Sequence, residues 1–352
     1  MRTYRHVRVS GAPFERGRQH GDQAGDLIRR FVDQLVDGLR ARRGAAGRGG
    51  VTREAILART LGFLPVYERF APHLVEEIRG VAAGAGVAFA EALLCNVRGE
   101  VGAYVDGGCT AFALGRRVTA TGDVLAGQNS DQGPAARDVS IVLSVEPDRG
   151  PAITMFTHAG GVGYHGFNSA GVAVFANSLP ATTRQPGMPH YLMKRVLLEQ
   201  TNVEACLAVL RRARVASAGN YVLADRSGRT LDVELTPQRA AIVEPRDDCV
   251  VHANHYEHPD LERFNAGEPG VERSTCRSAR LGAIVADAYG RVTVEVLKAA
   301  LSDHAGEPAT ICGHDPGYLT TVASLIAEPD HGRFHVSYGN PCQSGYTVYL
   351  MP

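Results

Sequence analysis

Over the first hundred residues the apolar positions recur at helical spacing. Leu27, Ile28, Phe31, Leu35 and Leu39 form one stripe with charged residues between them, which predicts an amphipathic helix. Residues 40–50 (RARRGAAGRGG) read as a loop. Further helices are expected over Thr52–Phe70, Pro72–Ala83 and Ala88–Val97, the second with proline suited to its first turn. At Gly107-Gly108 the pattern changes. Short apolar runs separated by Gly, Pro and Asp predict strands at Thr110–Leu114, Val124–Gln128, Val139–Val145, Ala152–His158 and Val172–Asn177. Helices are expected at His190–Gln200 and Val203–Arg214, the latter opened by a Thr201-x-x-Glu204 capping box. Strands return at Tyr221–Ala224, Thr230–Leu235, Ala240–Val243 and Val250–Ala253. Helices follow at Arg273–Ala288 and Thr293–Leu301, then strands near Thr320–Ile326, Arg333–Val336 and Tyr346–Leu350. This order predicts an α+β protein of two packed antiparallel sheets with helices outside.

Composition narrows the function. The chain has 352 residues, 44% hydrophobic and 21% charged, which excludes disorder. Lys+Arg and Asp+Glu both total 37, so no net charge draws it to nucleic acid or an anionic membrane. Only Lys194 and Lys298 are lysines, and neither lies in a GK[ST] sequence, which excludes a P-loop. No apolar run is long enough for a membrane span, and the first residues lack the apolar core of a secretory signal. Seven cysteines, widely spaced and without a CxxC pair, fit a reducing cytoplasm better than a disulfide framework or a zinc ribbon. No cofactor and no metal are expected.

Two motifs carry little. Gly161-Val-Gly163-Tyr-His-Gly166 matches GxGxxG, but the residues after it read as a turn into a strand and the expected acidic residue is missing. His252-Ala-Asn254-His255-Tyr-Glu257-His258 is rich in histidine, but it follows a strand pattern and ends at Pro259, and no HExxH is present.

Cys109 differs from the other cysteines. It follows two glycines in Asp106-Gly107-Gly108-Cys109-Thr110, where helix gives way to strand. An unhindered Gly108 carbonyl there lets the thiol attack its own upstream peptide bond. After an N-to-S acyl shift and hydrolysis, Cys109 becomes a new N-terminus. Its free α-amine, with a pKa of ~7.7–8, then serves as general base for the thiol of the same residue. Such a site still needs an oxyanion hole and a group that orients the amine.

These residues resemble the acyl-coenzyme A:6-aminopenicillanic acid acyltransferase family, peptidase family C45, within the N-terminal nucleophile (Ntn) hydrolases. The resemblance covers most of the chain. Phe14-Glu15-Arg16-Gly17-Arg18-Gln19-His20-Gly21 is similar to the family's N-terminal glycine and histidine pattern, and Asn96-Val-Arg98-Gly-Glu100 to the segment before the processing site. Gly108-Cys109-Thr110 resembles the self-cleavage site. Gly127-Gln128-Asn129-Ser130-Asp131 resembles the next strand-end motif, and Gly166-Phe-Asn168-Ser-Ala-Gly171 followed by Asn177 a glycine-rich hairpin. His252-Ala-Asn254-His255 and Asp232-Val-Glu234-Leu-Thr-Pro237 follow in family order. Any one motif is weak; their order is specific.

The resemblance implies a four-layer αββα sandwich with a helical N-terminal pro-region. It implies a helical segment 1–108, the α chain after self-cleavage, and a core 109–352, the β chain, the two remaining associated. It assigns Cys109 as nucleophile and Asp131 as holder of its amine. The backbone N–H near Asn177 and the side chain of Asn254 become the oxyanion donors. The implied activity is an amidohydrolase or acyltransferase acting on a small amide or acyl donor through an acyl-cysteine. An acyl-CoA-dependent N-acyltransferase, a non-catalytic binding module on the same fold and a histidine-metal hydrolase are the alternatives. There are departures. The distant bile-salt and penicillin V hydrolases have arginine where this chain has Gln128, and the fungal acyltransferase has one near the position of Asn340, which puts a penicillin substrate in doubt.

Overall fold

The computed structural model describes residues 2–45, 50–102, 108–180, 185–306, 309–315 and 319–352. In chain order these residues form β1 (Arg5–Gly11), α1 (Pro13–Ala45), α2 (Arg53–Leu61), α3 (Leu64–Phe70), α4 (Pro72–Ala85) and α5 (Phe89–Val97). Strands follow: β2 (Cys109–Leu114), β3 (Leu125–Gln132), β4 (Ser140–Pro147), β5 (Ile153–His158), β6 (His165–Asn168) and β7 (Ala173–Ser178). Then come α6 (His190–Leu198), α7 (Val203–Arg212), β8 (Gly219–Ala224), β9 (Thr230–Leu235), β10 (Ala240–Val243) and β11 (Cys249–His252). The chain closes with α8 (Val271–Asp287), α9 (Val294–Leu301), β12 (Thr320–Glu328), β13 (Arg333–Ser337) and β14 (Tyr346–Leu350).

The strands make two sheets, ordered β1-β4-β5-β6-β7-β8-β9-β10 and β11-β2-β3-β12-β13-β14. Their facing sides bury Ala111, Ala113, Phe156, Phe167, Phe175 and Leu325 in one shared core. The outer face of the first sheet packs Ile141 and Leu143 against Ile28, Phe31 and Leu35 of α1. The outer face of the second packs Phe112 and Leu114 against Leu281 and Val285 of α8 and Leu297 of α9. The result is the four-layer αββα sandwich, with helix, sheet, sheet and helix in succession.

Several expectations are refined. Residues 5–11, unassigned from the sequence, form β1, which pairs in parallel with β4, so the first sheet is mixed and the segment 1–108 contributes a strand to it. α1 runs on through residues expected to be loop, to Ala45. The helix expected over Thr52–Phe70 is two helices, broken at Gly62-Phe63, where Pro65 enters the first turn of α3. The cap of α7 is Asn202, whose side chain accepts from the Ala205 N–H at 2.8 Å, one residue later than the expected capping box.

The N-terminal glycine motif serves packing. A Cβ on Gly17 would lie 1.9 Å from the Glu77 carbonyl oxygen, and one on Gly80 2.0 Å from that of Phe14. With Gly21 against Gly84 and Ala85, the backbones of α1 and α4 touch. Arg16 and Arg195 both meet the buried Glu77 carboxylate. His20 accepts from the Gly160 N–H, and Asn96 grips the same loop through Gly160 O and Val162 N. Two glycines of the GxGxxG segment are also crowded by backbone: a Cβ on Gly163 would lie 2.5 Å from Tyr191 O and one on Gly166 2.2 Å from Thr154 O. They lead into β6, not a helix, which leaves no phosphate cradle.

Candidate active site

Cys109 is the first residue of β2, an inner strand between β11 and β3. Alternation along β2 sends Ala111 and Ala113 into the inter-sheet core and Phe112 and Leu114 towards the helices. Cys109 shares the parity of the alanines, so its thiol faces the inter-sheet side. Gln128 reaches it there: Nε2 lies 3.8 Å from Sγ, while Oε1 accepts from the Ala176 N–H at 3.2 Å. The glutamine thus ties the Cys109 thiol to β7.

The backbone at Cys109 is held from three sides. Its N–H donates to Asn254 Oδ1 at 2.8 Å. The preceding carbonyl, of Gly108, accepts from the Asp131 N–H at 2.7 Å. The following carbonyl, of Cys109 itself, accepts from Arg277 Nη1 at 2.9 Å. The same guanidinium donates to Thr110 Oγ1 and to Asn254 Oδ1, each at 2.9 Å. It also lies 3.5 Å from the Asp131 carboxylate. Gly108 is hemmed in by this group: a Cβ there would sit 3.3 Å from Asp131 Oδ2 and 3.4 Å from Arg277 Nη2.

Asp131 lies on the other face of its sheet from the thiol, on the strand paired with β2 and one residue beyond the Ser130 that faces Cys109. Thr321 donates to its Oδ1 at 2.6 Å. Burial pushes the Asp131 carboxyl up from its ordinary value; Arg277 and the Thr321 hydroxyl pull the other way and only limit the rise. Asn254 is positioned from behind. Its N–H donates to Ser274 Oγ at 2.6 Å, and its Nδ2 donates to Ser178 O at 3.0 Å.

The expected site residues therefore divide. Gly108, Cys109, Asp131 and Asn254 converge. Asn177 lies on β7 between Ala176, which is bonded to Gln128, and Ser178, which is bonded to Asn254. Its own N–H donates to Asn220 Oδ1 at 3.0 Å, and its buried side-chain amide has no hydrogen-bond partner among the described residues. Arg277 is the residue that the sequence reading missed. It sits on α8 in the buried stripe Ser274, Arg277, Ser278, Leu281 and Val285, and an arginine on an otherwise small and apolar face is the signal that marks it. Asp106 and Gly107 of the expected processing sequence lie outside the described residues.

A buried polar relay backs the site. Asn220 donates to Asp232, and His252 Nε2 lies 3.7 Å from Asp232 and 3.0 Å from Glu234. Burial would lower the His252 pKa, but Asp232, Glu234 and Glu257 outweigh it and hold it at about 9. The Asp-Val-Glu pattern of β9 thus places two carboxylates on the face that His252 meets. The histidines of this stretch do not converge on one point. His255 Nδ1 instead accepts from the Ser274 hydroxyl at 2.8 Å.

Cys109 is 4% exposed. A cavity of about 850 Å³ lies between β11, α8 and the segment around Tyr256, and Cys109 is not among its lining residues.

The αββα sandwich, with a cysteine opening an inner strand and an asparagine on its N–H, is the architecture expected from the resemblance to the Ntn hydrolases. Residues 118–343 match the model of the acyl-coenzyme A:6-aminopenicillanic acid acyl-transferase family. The chain is 30% identical over 256 residues to the acyl-coenzyme A:6-aminopenicillanic-acid-acyltransferase 40 kDa form of Emericella nidulans, covering 71% of this chain and 69% of that protein. The chain belongs to this family. Among solved structures it is similar to a variant of conjugated bile acid hydrolase from Clostridium perfringens (TM-score 0.48, 12% identity, 69% of this chain and 97% of that one). It is also similar to penicillin V acylase from Agrobacterium tumefaciens (TM-score 0.47, 14% identity, 69% and 86%). No helix among the described residues is long and apolar enough to cross a membrane.

Proposed function

We propose that this chain is a self-processing N-terminal-cysteine enzyme that cleaves or transfers the acyl group of a small amide or acyl donor. One observation carries the reading: the groups that self-cleavage and amine positioning need meet at the Gly108–Cys109 peptide bond.

In the precursor the Cys109 thiolate attacks the Gly108 carbonyl carbon. The Asp131 N–H, already at 2.7 Å, stabilises the developing oxyanion. Collapse breaks the C–N bond and the nitrogen takes a proton, leaving a Gly108 thioester on Sγ and a free amine. Water hydrolyses the thioester to a Gly108 carboxylate and the Cys109 thiol. Residues 1–108 and 109–352 stay together, because β1 and α1 are built into the first sheet and its core.

In the mature enzyme the amine stays on Asn254 Oδ1, with the Asp131 carboxylate of the adjacent strand as its proposed counter-ion, and takes the thiol proton. The thiolate attacks the substrate carbonyl. Asn254 Nδ2, released from Ser178, and the Asn177 N–H on β7, released from Asn220, receive the oxyanion; a single such donor is worth about 3–4 kcal/mol of barrier. The amine then protonates the leaving group, and the acyl-cysteine passes to water or to an acceptor amine. Gln128 gives the thiol a neutral neighbour. The reading favours hydrolysis of a small amide in the cytoplasm, without cofactor, nucleic acid or membrane; a chain with no net charge exerts no general pull on the phosphates of coenzyme A.

The test is trapping. The protein is incubated with a panel of small N-acyl amides and acyl thioesters, quenched in acid and digested. An acyl adduct on the peptide that begins at Cys109 is expected. Turnover with no adduct there, undiminished in Cys109→Ala, would overturn the reading.

A further inference from the structure

Four ligating side chains from three separate stretches meet at the end of the second sheet that also carries Asp131: His304, Cys312, His314 and Cys342. Their nearest ligand atoms all lie within 4.8 Å of one another. Cys312 is buried and the other three are exposed. We propose that these residues form a structural Cys2His2 site for a tetrahedral divalent metal, with zinc the fitting ion.

The distances carry the proposal. With Zn–S of about 2.3 Å and Zn–N of about 2.0–2.1 Å, a regular tetrahedron has edges of about 3.8 Å (S to S), 3.5 Å (S to N) and 3.3 Å (N to N). Here Cys312 Sγ to Cys342 Sγ is 3.7 Å. His314 Nε2 lies 3.4 Å from Cys312 Sγ and 3.1 Å from Cys342 Sγ. His304 Nε2 to His314 Nε2 is 3.0 Å. Sulfurs 3.7 Å apart are not a disulfide. Two soft thiolates and two imidazoles suit zinc better than a hard oxygen-seeking ion. Four protein ligands close the coordination sphere, as in structural rather than catalytic zinc. Binding releases two thiol protons to solvent, and Zn²⁺ with two thiolates and two neutral imidazoles is uncharged.

The surroundings are those of a ligand shell. Asn340 Nδ2 donates to Cys312 Sγ at 3.6 Å and to Gly313 O at 2.6 Å, which holds the thiolate position and its loop. The Cys312 N–H donates to Asp303 O, and Thr310 Oγ1 to Cys312 O. The site also has something to hold. The Gly313 N–H donates to Thr321 Oγ1, and Thr321 donates to Asp131. The metal would therefore staple the loop after α9 to the turn after β13, one residue from the wall behind Asp131. The sequence hides this arrangement because it contains no CxxC: its only local trace is Cys312-x-His314, and the other ligands come from positions 304 and 342.

The test is metal analysis of the untagged full chain, grown with zinc and purified reduced without chelator. About one zinc per chain is expected in the wild type, falling at least tenfold in both Cys342→Ser and His304→Gln. Two exposed ligands are chosen so that folding, checked by circular dichroism, survives at least one substitution. Cobalt added to the metal-free wild type should give the thiolate charge-transfer and visible bands of a tetrahedral S2N2 site. A reduced, folded wild type that takes up neither metal would overturn the proposal. So would zinc retained undiminished in both variants, or a Cys312–Cys342 disulfide in the purified chain.

Discussion

The backbone N–H of Asp131 donates to the carbonyl oxygen of Gly108 at 2.7 Å, while the carboxylate of the same residue flanks the same glycine. In the proposed self-cleavage, this one residue would polarise the Gly108 carbonyl and face the ammonium that cleavage exposes. Arg277 adds a third hold, on the Cys109 carbonyl, so that the peptide on each side of Cys109 is fixed.

Arg277 has four partners within reach: Cys109 O, Thr110 Oγ1, Asn254 Oδ1 and the Asp131 carboxylate. Arg277→Gln should slow the appearance of the cleaved form and lower kcat by about 10²-fold, the scale of losing a preorganised donor set. Lysine should rescue only weakly, since a single ammonium cannot reproduce the fork. Time courses of cleavage on denaturing gels and steady-state kinetics measure both.

Asn254 is proposed to use both ends of its amide: Oδ1 keeps the Cys109 nitrogen throughout, while Nδ2 passes from Ser178 in the precursor to the substrate oxyanion in the mature enzyme. Asn254→Asp keeps the acceptor and removes the Nδ2 donor. It should still cut itself, yet lose about 10²–10³-fold in kcat with little change in KM. Equal loss in both reactions would contradict the exchange.

His252 sets a pH limit on stability. Its pKa is raised to about 9, so the stabilisation from its charged form is complete below about pH 6.5 and is lost as pH rises through 9. Asp232, raised to about 7 by burial against the opposing pull of His252, works in the same direction over a lower window. Thermal unfolding midpoints should therefore fall between pH 7 and 9, and His252→Gln should flatten that part of the curve.

The contact between α1 and α4 leaves no room for a methyl group. Gly80→Ala should destabilise by about 1–3 kcal/mol or more, the scale of overpacking, because its Cβ would meet the Phe14 carbonyl at 2.0 Å. Gly282→Ala, on α8 with nothing within 4 Å, should stabilise by about 0.5–1 kcal/mol. Chemical denaturation of the two variants gives the contrast.

Local signals made much of this legible. The apolar stripe of α1, the strand order from β2 onwards and the Gly108-Cys109 boundary all follow from short-range pattern. What stayed hidden depended on partners far along the chain. The Val7/Val9 alternation of β1 is short, and its partner β4 lies beyond the whole helical segment. Residues 165–168 became β6 because β5 and β7 flank them, not through propensity. Arg277 looks like one more helix arginine until the fold brings α8 against Cys109. The four candidate metal ligands share no motif and meet only through the packing of two loops.

The account rests on Cys109 becoming a chain terminus. Intact mass with N-terminal sequencing of the purified protein tests this directly. The prediction is two associated pieces, of about 11.5 and 26 kDa by residue share of the 37.5 kDa chain, with the larger beginning Cys109-Thr110-Ala111. Cys109→Ala should give one uncut chain without turnover. A wild type that turns over substrate while still 37.5 kDa and continuous through Gly108 would contradict it.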